Sequence, residues 1–312
     1  MGYLFRRGVV LAGIIYLVLW IEKGKLMQPS TWTALVMAYK KYGPRYFLDG
    51  RAFNILAYGR WLPNYIAVYQ RLMKGLGPRA QDWMVQTYHG KVLTTELAKD
   101  IISLDVDIPL RDLGTKIIPY RTAREFLLEA HPDIALTECA CRAVSDHGCK
   151  PSQVCMAIGH PFTDFVLQHR PETTRRITKE EALDILDDAS RRGLVHHAYF
   201  KDAAFNQFYA LCNCCPECCT GFMAKKLGVD MICGSGYQCQ VTKKSCKGSG
   251  ECVKACPFEA VSLVNGKSVV DPVKCMGCGV CIAKCPNNAR KLIQIGPLEP
   301  LSVRDMLKDL QT

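Results

Sequence analysis

The residues with the clearest chemical potential are four cysteines near the end of the 312-residue chain. They occur in the run Cys275-Met-Gly-Cys278-Gly-Val-Cys281-Ile-Ala-Lys-Cys285-Pro286, whose spacing is C-x2-C-x2-C-x3-C-P. This spacing lets thiolates surround a cube of iron and sulfide ions. Gly277 and Gly279 can take the positive-φ conformations that such a tight loop requires. The run therefore predicts an iron–sulfur site.

A second copy of the pattern lies upstream and lacks one cysteine. It reads Cys246-Lys-Gly-Ser249-Gly-Glu-Cys252-Val-Lys-Ala-Cys256-Pro257, with serine at the second ligand position. Between the two copies, residues 260–264 and 268–270 have strand character, and Asn265-Gly266 is a typical hairpin turn. With these features together, residues 240–292 resemble the bacterial two-cluster ferredoxin domain.

The resemblance implies an interleaved ligand scheme, because in that family the fourth cysteine of each motif ligates the other cluster. One [4Fe–4S] cluster would then be held by Cys275, Cys278, Cys281 and Cys256. The other site would contain Cys246, Cys252 and Cys285, with Ser249 at the fourth position. Since an alkoxide is a harder ligand than a thiolate, three outcomes are open: a [3Fe–4S] cluster, a [4Fe–4S] cluster completed by Ser249 or nearby Cys239, or no cluster. We expect a cluster, because three thiolates remain.

Eleven of the 18 cysteines lie outside the two motifs. Ten of them are candidate metal ligands: Cys139, Cys141, Cys149, Cys155, Cys212, Cys214, Cys215, Cys218, Cys219 and Cys239. A disulfide framework suits small secreted domains better than a chain of this length. Zinc binds similar groups of thiolates, but a chain that already receives iron–sulfur clusters favours further iron–sulfur sites.

The ten cysteines leave two ligand arrangements open. Either the groups at 139–155 and 212–219 each bind a separate metal centre, or they interleave, so that one centre has ligands from both groups. His147 and His160 are candidates to replace a thiolate, and the charge of Arg142 would raise a nearby reduction potential. The CxCR element with CNCCxxCC resembles a recurrent group of bacterial and archaeal iron–sulfur proteins over residues 120–292, and this resemblance implies no particular activity.

Positive charge is concentrated at the start of the chain. The formal net charge is +11, and residues 1–80 contain 12 Lys/Arg against 2 Asp/Glu, together with 14 of the 28 aromatic residues. Such a segment suits an anionic membrane surface or nucleic acid. The uncharged run Gly8–Ile21 favours the membrane, because it extends about 21 Å as a helix and reaches the hydrocarbon thickness when counted from Met1.

The first 80 residues therefore predict a membrane anchor followed by amphipathic helices on the bilayer, although a docking face for a partner subunit is the alternative. Four Lys/Arg within 20 residues after the anchor favour the cytoplasmic face. Arg6-Arg7 has the form of a twin-arginine export signal, which would favour the opposite side.

The predicted fold is α+β in five segments: a membrane anchor (1–25), a basic amphipathic segment (26–80), a mixed α/β cysteine-rich domain (81–239), a ferredoxin-like dicluster domain with a ββ hairpin and short helices (240–292), and a tail with a short helix at 301–311 (293–312). Arg121–Ala130 is predicted as a helix and Ile134–Leu136 as a strand leading to Cys139. Thr178 and Glu181 have capping-box spacing before a helix that Gly193 ends, and a strand follows at 194–200.

These features predict a membrane-associated multicluster protein that relays single electrons between a soluble redox partner and a membrane-bound one, such as a flavoprotein or a membrane oxidoreductase. Neither a dinucleotide fingerprint nor a phosphate-binding loop is present, and we expect no nucleic-acid partner. One alternative is a redox enzyme subunit with thiol or disulfide chemistry at Cys212–Cys219. Another is a metal or redox sensor.

Overall fold

A computed structural model describes residues 28–110, 126–128, 132–205 and 207–295 of the chain. The predicted anchor at residues 1–25 and the helix at 301–311 lie outside these ranges. In the part that is described, no helix combines the length and the apolar character needed to cross a bilayer. Helices and strands are mixed along the chain, which confirms the α+β class.

Five helices form the beginning of the described chain: α1 (Pro29–Tyr42), α2 (Arg45–Leu48), α3 (Arg51–Arg60), α4 (Leu62–Gly75) and α5 (Pro78–Thr87). The amphipathic pattern predicted here corresponds to α2, α3 and α4. Their apolar faces are used inside the protein, since Tyr46, Ile66 and Met73 are almost fully buried. These helices are therefore part of the globular core.

A seven-stranded sheet is the centre of the molecule, with strand order β6-β4-β5-β8-β7-β1-β9. Its strands are β1 (Tyr88–Leu93), β4 (Ile134–Glu138), β5 (Gln153–Ile158), β6 (Thr174–Arg176), β7 (Val195–Lys201), β8 (Gln207–Cys214) and β9 (Ile232–Cys233). Neighbours are antiparallel except for β1 and β9. Strand β4 confirms the strand predicted before Cys139.

The α-helices of this region are α6 (Thr95–Ile102), α7 (Ala140–Ala143), α8 (Phe162–His169), α9 (Lys179–Arg192) and α10 (Thr220–Lys226). A separate pair of strands, β2 (Ile108–Leu110) and β3 (Phe126–Leu128), is antiparallel. The helix predicted over Arg121–Ala130 is therefore wrong at residues 126–128. Three consecutive large apolar residues satisfy a strand as well as a helix, and pairing with β2 selects the strand.

The two faces of the sheet are covered differently. Helices α6 and α9 pack on one face, where Leu97, Leu186 and Phe200 belong to one apolar cluster. The predicted capping box of α9 is confirmed, since the Glu181 N–H donates to Thr178 Oγ1 at 3.2 Å. Gly193 ends this helix with a φ of +80°. The opposite face is covered by α1, α3, α4 and α8.

A buried lysine fixes the N-terminal helices to that second face. Lys201 is fully buried, and its Nζ donates to the Tyr65 hydroxyl at 3.0 Å. The same ammonium lies 5.2 Å from the ring centre of Tyr58 on α3 and 5.3 Å from that of Tyr88 on β1. Because buried ammonium–ring contacts are attractive, one charge joins α3 and α4 to the sheet.

The C-terminal region comprises β10 (Tyr237–Val241), α11 (Glu251–Lys254), β11 (Val261–Val264), β12 (Lys267–Val270), α12 (Val280–Ala283) and β13 (Arg290–Gln294). The predicted hairpin is confirmed: β11 pairs with β12 through Asn265 and Gly266, both at positive φ. This region packs on the rest of the protein, because Met276 and Val280 belong to the main apolar core.

Candidate metal centres

The loop of the complete motif has the shape that ligand convergence requires. Gly277 and Gly279 have φ values of +66° and +81°. A Cβ atom on Gly277 would lie 2.1 Å from the Tyr237 carbonyl oxygen and 2.4 Å from Ser235 Oγ. Only glycine fits at this position, so the cysteine loop packs directly against the chain at Ser235 and Tyr237. Burial raises the pKa of the Cys278 thiol to about 12, which favours the protonated thiol as long as no metal stabilises the thiolate.

The loop that contains Ser249 has the same backbone shape. Gly248 and Gly250 have φ values of +70° and +79°, which match Gly277 and Gly279 within a few degrees. A Cβ atom on Gly248 would lie 2.2 Å from the Gly266 carbonyl oxygen of the hairpin. The serine therefore occupies a loop built in the same way as a cluster loop.

The fourth cysteines cross between the two loops. Cys285 lines one small cavity together with Cys246, Ser249 and Cys252. Cys256 instead lies among the charge neighbours of Cys275 and Cys278. This is the arrangement that the interleaved ligand scheme requires.

Backbone N–H groups surround the sulfur atoms. The Ala260 N–H donates to Cys256 Sγ at 3.2 Å, and the Ala289 N–H donates to Cys285 Sγ at 3.4 Å. Such donors stabilise negative charge on sulfur and raise cluster potentials. The glycine cradles, the converging thiols and these donors fit two iron–sulfur clusters.

Arg290 and Cys239 lie between the two loops. Arg290 is buried, and its Nη1 donates to Cys239 Sγ at 3.2 Å. Contact with the Cys281 thiol and the hydrogen bond from Arg290 lower the pKa of the Cys239 thiol to about 6. Cys239 is thus beside Cys281 of the complete motif and is not among the residues that line the Ser249 cavity.

The middle sheet presents cysteines on the face covered by α3, α4 and α8. Antiparallel pairing places Cys155 on β5 opposite Cys212 on β8. Cys214 follows two residues later on the same face, as the alternation of a strand requires. Cys139 and Cys141 lie at the start of α7, directly after β4, while Cys219 precedes α10.

Six of these thiols are neighbours in a closed ring, in which each interacts with the thiol before it and the thiol after it. The order around the ring is Cys139, Cys141, Cys219, Cys214, Cys212, Cys155 and back to Cys139. Contacts with the Cys155 and Cys214 thiols lower the pKa of the Cys212 thiol to about 7. Three neighbours come from the first sequence group (Cys155, Cys139, Cys141) and three from the second (Cys219, Cys214, Cys212), so both groups contribute to one ring.

Three more cysteines form a separate cluster. Cys149, Cys215 and Cys218 have sulfur atoms within 4.8 Å of one another. Here too, one cysteine comes from the first group and two come from the second. Cys233 is buried alone, with Lys91 as its charged neighbour.

The thiol ring borders a pocket with mainly apolar walls. Aromatic side chains that include Tyr58, Phe162 and Tyr209 line the rest of its wall. Arg142 lies in this wall as well, and it donates to the carbonyl oxygens of Pro151 and Asn213. Converging thiols in a pocket with mainly apolar walls are suitable ligands for an iron–sulfur cluster and equally for a zinc ion.

The histidines differ from the sequence prediction. His160 is exposed and pairs with Asp164 at 3.1 Å, and His147 is an exposed loop residue. His197 on β7 is the histidine that lies within 4.8 Å of both Cys214 and Cys219. Burial lowers its pKa to about 3, so the ring is neutral. In the sequence, His197 is marked only by its position in the strand predicted at 194–200, two residues before Tyr199.

Comparison with known proteins agrees with the C-terminal site. Residues 238–286 match the family model described as 4Fe-4S dicluster domain. No curated protein matches the chain significantly. The predicted dicluster ferredoxin domain and its [4Fe–4S] clusters are therefore confirmed. The matched residues do not include the cysteines of the middle sheet, whose assignment as metal ligands rests on their positions in the structure.

Proposed function

We propose that the protein is a membrane-associated, multicluster iron–sulfur protein that relays single electrons between a soluble redox partner and a membrane-bound one. The observation that carries this proposal is a packed aromatic junction between its two cysteine-rich regions. Phe222 on α10 stacks on Phe258, which follows Cys256-Pro257, with 4.9 Å between ring centres.

The junction connects the two regions through direct side-chain contacts. Phe222 is 2 % exposed, and its other neighbour is the His197 ring at 5.6 Å. His197 in turn lies beside Cys214 and Cys219. A continuous series of buried and partly buried groups thus extends from the thiol ring to Cys256 of the dicluster domain. Such contact supports electron exchange between the two regions.

The thiolates are assigned the role of holding clusters, which supply one-electron storage when bound. The N–H donors to Cys256 and Cys285 stabilise the negative charge that arrives with each electron. Apolar packing around the thiol ring excludes water and keeps the local dielectric low. No side chain in this scheme acts as an acid or a base.

Membrane attachment is supported by the outer face of α1. This helix buries small residues, including Ala34 and Ala38, against the protein. Its opposite face exposes Trp32, Val36 and Tyr39, which are spaced four and three residues apart. An apolar stripe next to Lys40, on a helix that follows the apolar run 8–21, suits an anionic bilayer surface.

Docking of a soluble redox partner is supported by an exposed surface of the dicluster domain. The hairpin of the dicluster domain exposes Leu263, Val264 and Val269. Leu263 also lines the cavity of the Ser249 site. Small apolar surfaces beside a redox centre are typical of transient electron-transfer contacts.

Rapid-mixing reduction of the anaerobic full-length protein tests the relay. A one-electron reductant is mixed with the protein, and samples are frozen at intervals for EPR spectroscopy. We expect signals of the dicluster domain and of the middle domain to rise together in the wild type. In Phe222→Leu, the middle-domain signal should lag several-fold behind.

Phe208→Leu is the matched control, because Phe208 is equally buried but belongs to the opposite face of the sheet. Its kinetics should equal those of the wild type. A middle domain that never accepts an electron would contradict the relay, as would a Phe222→Leu protein with wild-type kinetics.

A further inference from the structure

His197 is a buried imidazole with no hydrogen-bond partner. Its side chain is 0 % exposed, and neither Nδ1 nor Nε2 is hydrogen-bonded. A neutral imidazole carries one N–H donor and one acceptor nitrogen. Leaving a donor buried and unpaired is unfavourable, because its hydrogen bond to water is lost and not replaced. Such a group in a native protein calls for an explanation, and a bound ion is one of the standard ones.

The other buried histidines do not have this property. His89 bonds the Val85 carbonyl oxygen through Nδ1, and His196 bonds Asn213 Oδ1 through Nδ1 at 2.6 Å. His169 bonds Thr31 Oγ1 through Nε2. Among the buried histidines that the structure describes, His197 alone has both ring nitrogens unpaired.

Two thiols converge on this ring. A ring nitrogen of His197 and the sulfur atoms of Cys214 and Cys219 all lie within 4.8 Å of one another, and all three residues are buried. Metal–sulfur bonds of about 2.3 Å and metal–nitrogen bonds of about 2.0 Å give ligand separations of about 3.5–3.8 Å in a tetrahedral site. The distances among the three atoms, all within 4.8 Å, are therefore compatible with ligands that share one metal ion.

A third thiol adjoins this group at Cys219, although it is not itself within 4.8 Å of all three ligand atoms. Cys141 contacts Cys219 in the thiol ring, and its Sγ is 3.2 Å from Thr220 Oγ1. The rings of Tyr199 and Phe222 also lie beside the imidazole, with 5.9 and 5.6 Å between ring centres. Sulfur atoms are therefore the metal-binding groups that the described surroundings offer to the ring nitrogens.

We propose that His197 is a metal ligand and forms, with Cys141, Cys214 and Cys219, a mixed imidazole–thiolate site for a thiophilic transition metal. The metal is an iron of an iron–sulfur cluster or a zinc ion, since both accept this donor set. The inference concerns only the middle domain and does not depend on electron relay or on membrane attachment.

The test uses anaerobically purified full-length protein in which all histidines carry ¹⁵N. Pulsed EPR detects a nitrogen bonded to a paramagnetic cluster, and zinc X-ray absorption reports sulfur and nitrogen ligands at zinc. We expect a directly bonded nitrogen at one of these metals in the wild type. His197→Ala should abolish it, and His160→Ala, which changes an exposed histidine, should leave it intact.

His197→Cys guards against a variant that merely fails to fold. It should retain the metal through a fourth thiolate while the nitrogen signal disappears. Loss of an iron-bound nitrogen assigns the site to a cluster, and loss of a zinc-bound nitrogen assigns it to zinc. The proposal is overturned by a wild type without metal-bound nitrogen, or by a nitrogen signal that survives in both His197 variants.

Discussion

Replacing Arg290 with methionine is expected to lower the reduction potentials of both clusters in the dicluster domain. Arg290 is 6 % exposed, and its charge acts on Cys281 of one ligand set and on Cys252 of the other. Its guanidinium also donates to Ser268 Oγ, which accepts from the Cys252 thiol. A fixed positive charge favours the reduced, more negative form of each cluster.

The size of the effect follows from Coulomb's law. Two unit charges about 6 Å apart interact by about 3 kcal/mol at an effective dielectric constant of about 20. One electron moved through 100 mV corresponds to about 2.3 kcal/mol. Removing the charge should therefore lower each potential by roughly 100 mV.

The assay is an EPR-monitored redox titration of the full-length protein. Arg290→Lys separates charge from shape, because it retains the positive charge and should keep the potentials near those of the wild type. Lys291→Met is the matched control: Lys291 is the next residue on β13 and is exposed, so its charge is screened by the solvent. Potentials in Arg290→Met equal to those of the wild type, with unchanged cluster spectra, would refute the reasoning.

Three further perturbations have defined outcomes. Ser249→Cys places a fourth thiolate in a loop of matching shape, so a three-iron EPR signal should give way to a four-iron one; an unchanged spectrum would remove Ser249 from the ligand position. Gly59→Ala should lower the free energy of unfolding by about 1–3 kcal/mol, because a Cβ atom there would lie 1.9 Å from Phe165. Gly75→Ala is the control, since its Cβ atom would lie in open space. Equal melting temperatures of the two variants would contradict this reasoning. Trp32→Ser should weaken flotation of the protein with anionic vesicles. Val273→Ser changes an exposed residue of the dicluster domain and should leave flotation unchanged. Equal binding of both variants to the vesicles would reject α1 as the membrane contact.

Local signals made the C-terminal domain predictable. Ligand spacing, paired glycines and the Asn265-Gly266 turn all act within a few residues, so each could be read directly from the chain. The same holds for α9, where Thr178 and Gly193 mark the two ends. Even the shape of the Ser249 loop follows from glycines at positions equivalent to those of the complete motif.

The middle site could not be predicted in the same way, because its ligands converge through sheet pairing. Cys155 and Cys212 meet only because β5 pairs with β8, and no local pattern specifies that register. His197 has the same origin, since it faces Cys212 across β7 and β8. The N-terminal helices were expected on a bilayer, but amphipathic periodicity does not distinguish a bilayer from the body of the same protein. Ile66 and Met73 are buried against that body.

Counting iron, zinc and acid-labile sulfide per chain, together with EPR quantification on anaerobically purified protein, tests the central claim most directly. The account predicts about 11 or more irons per chain, because each cubane holds four, the Ser249 site at least three, and the middle domain a further cluster. Iron sufficient for the dicluster domain alone, with the cysteines of the middle sheet holding zinc or no metal, would contradict the multicluster relay.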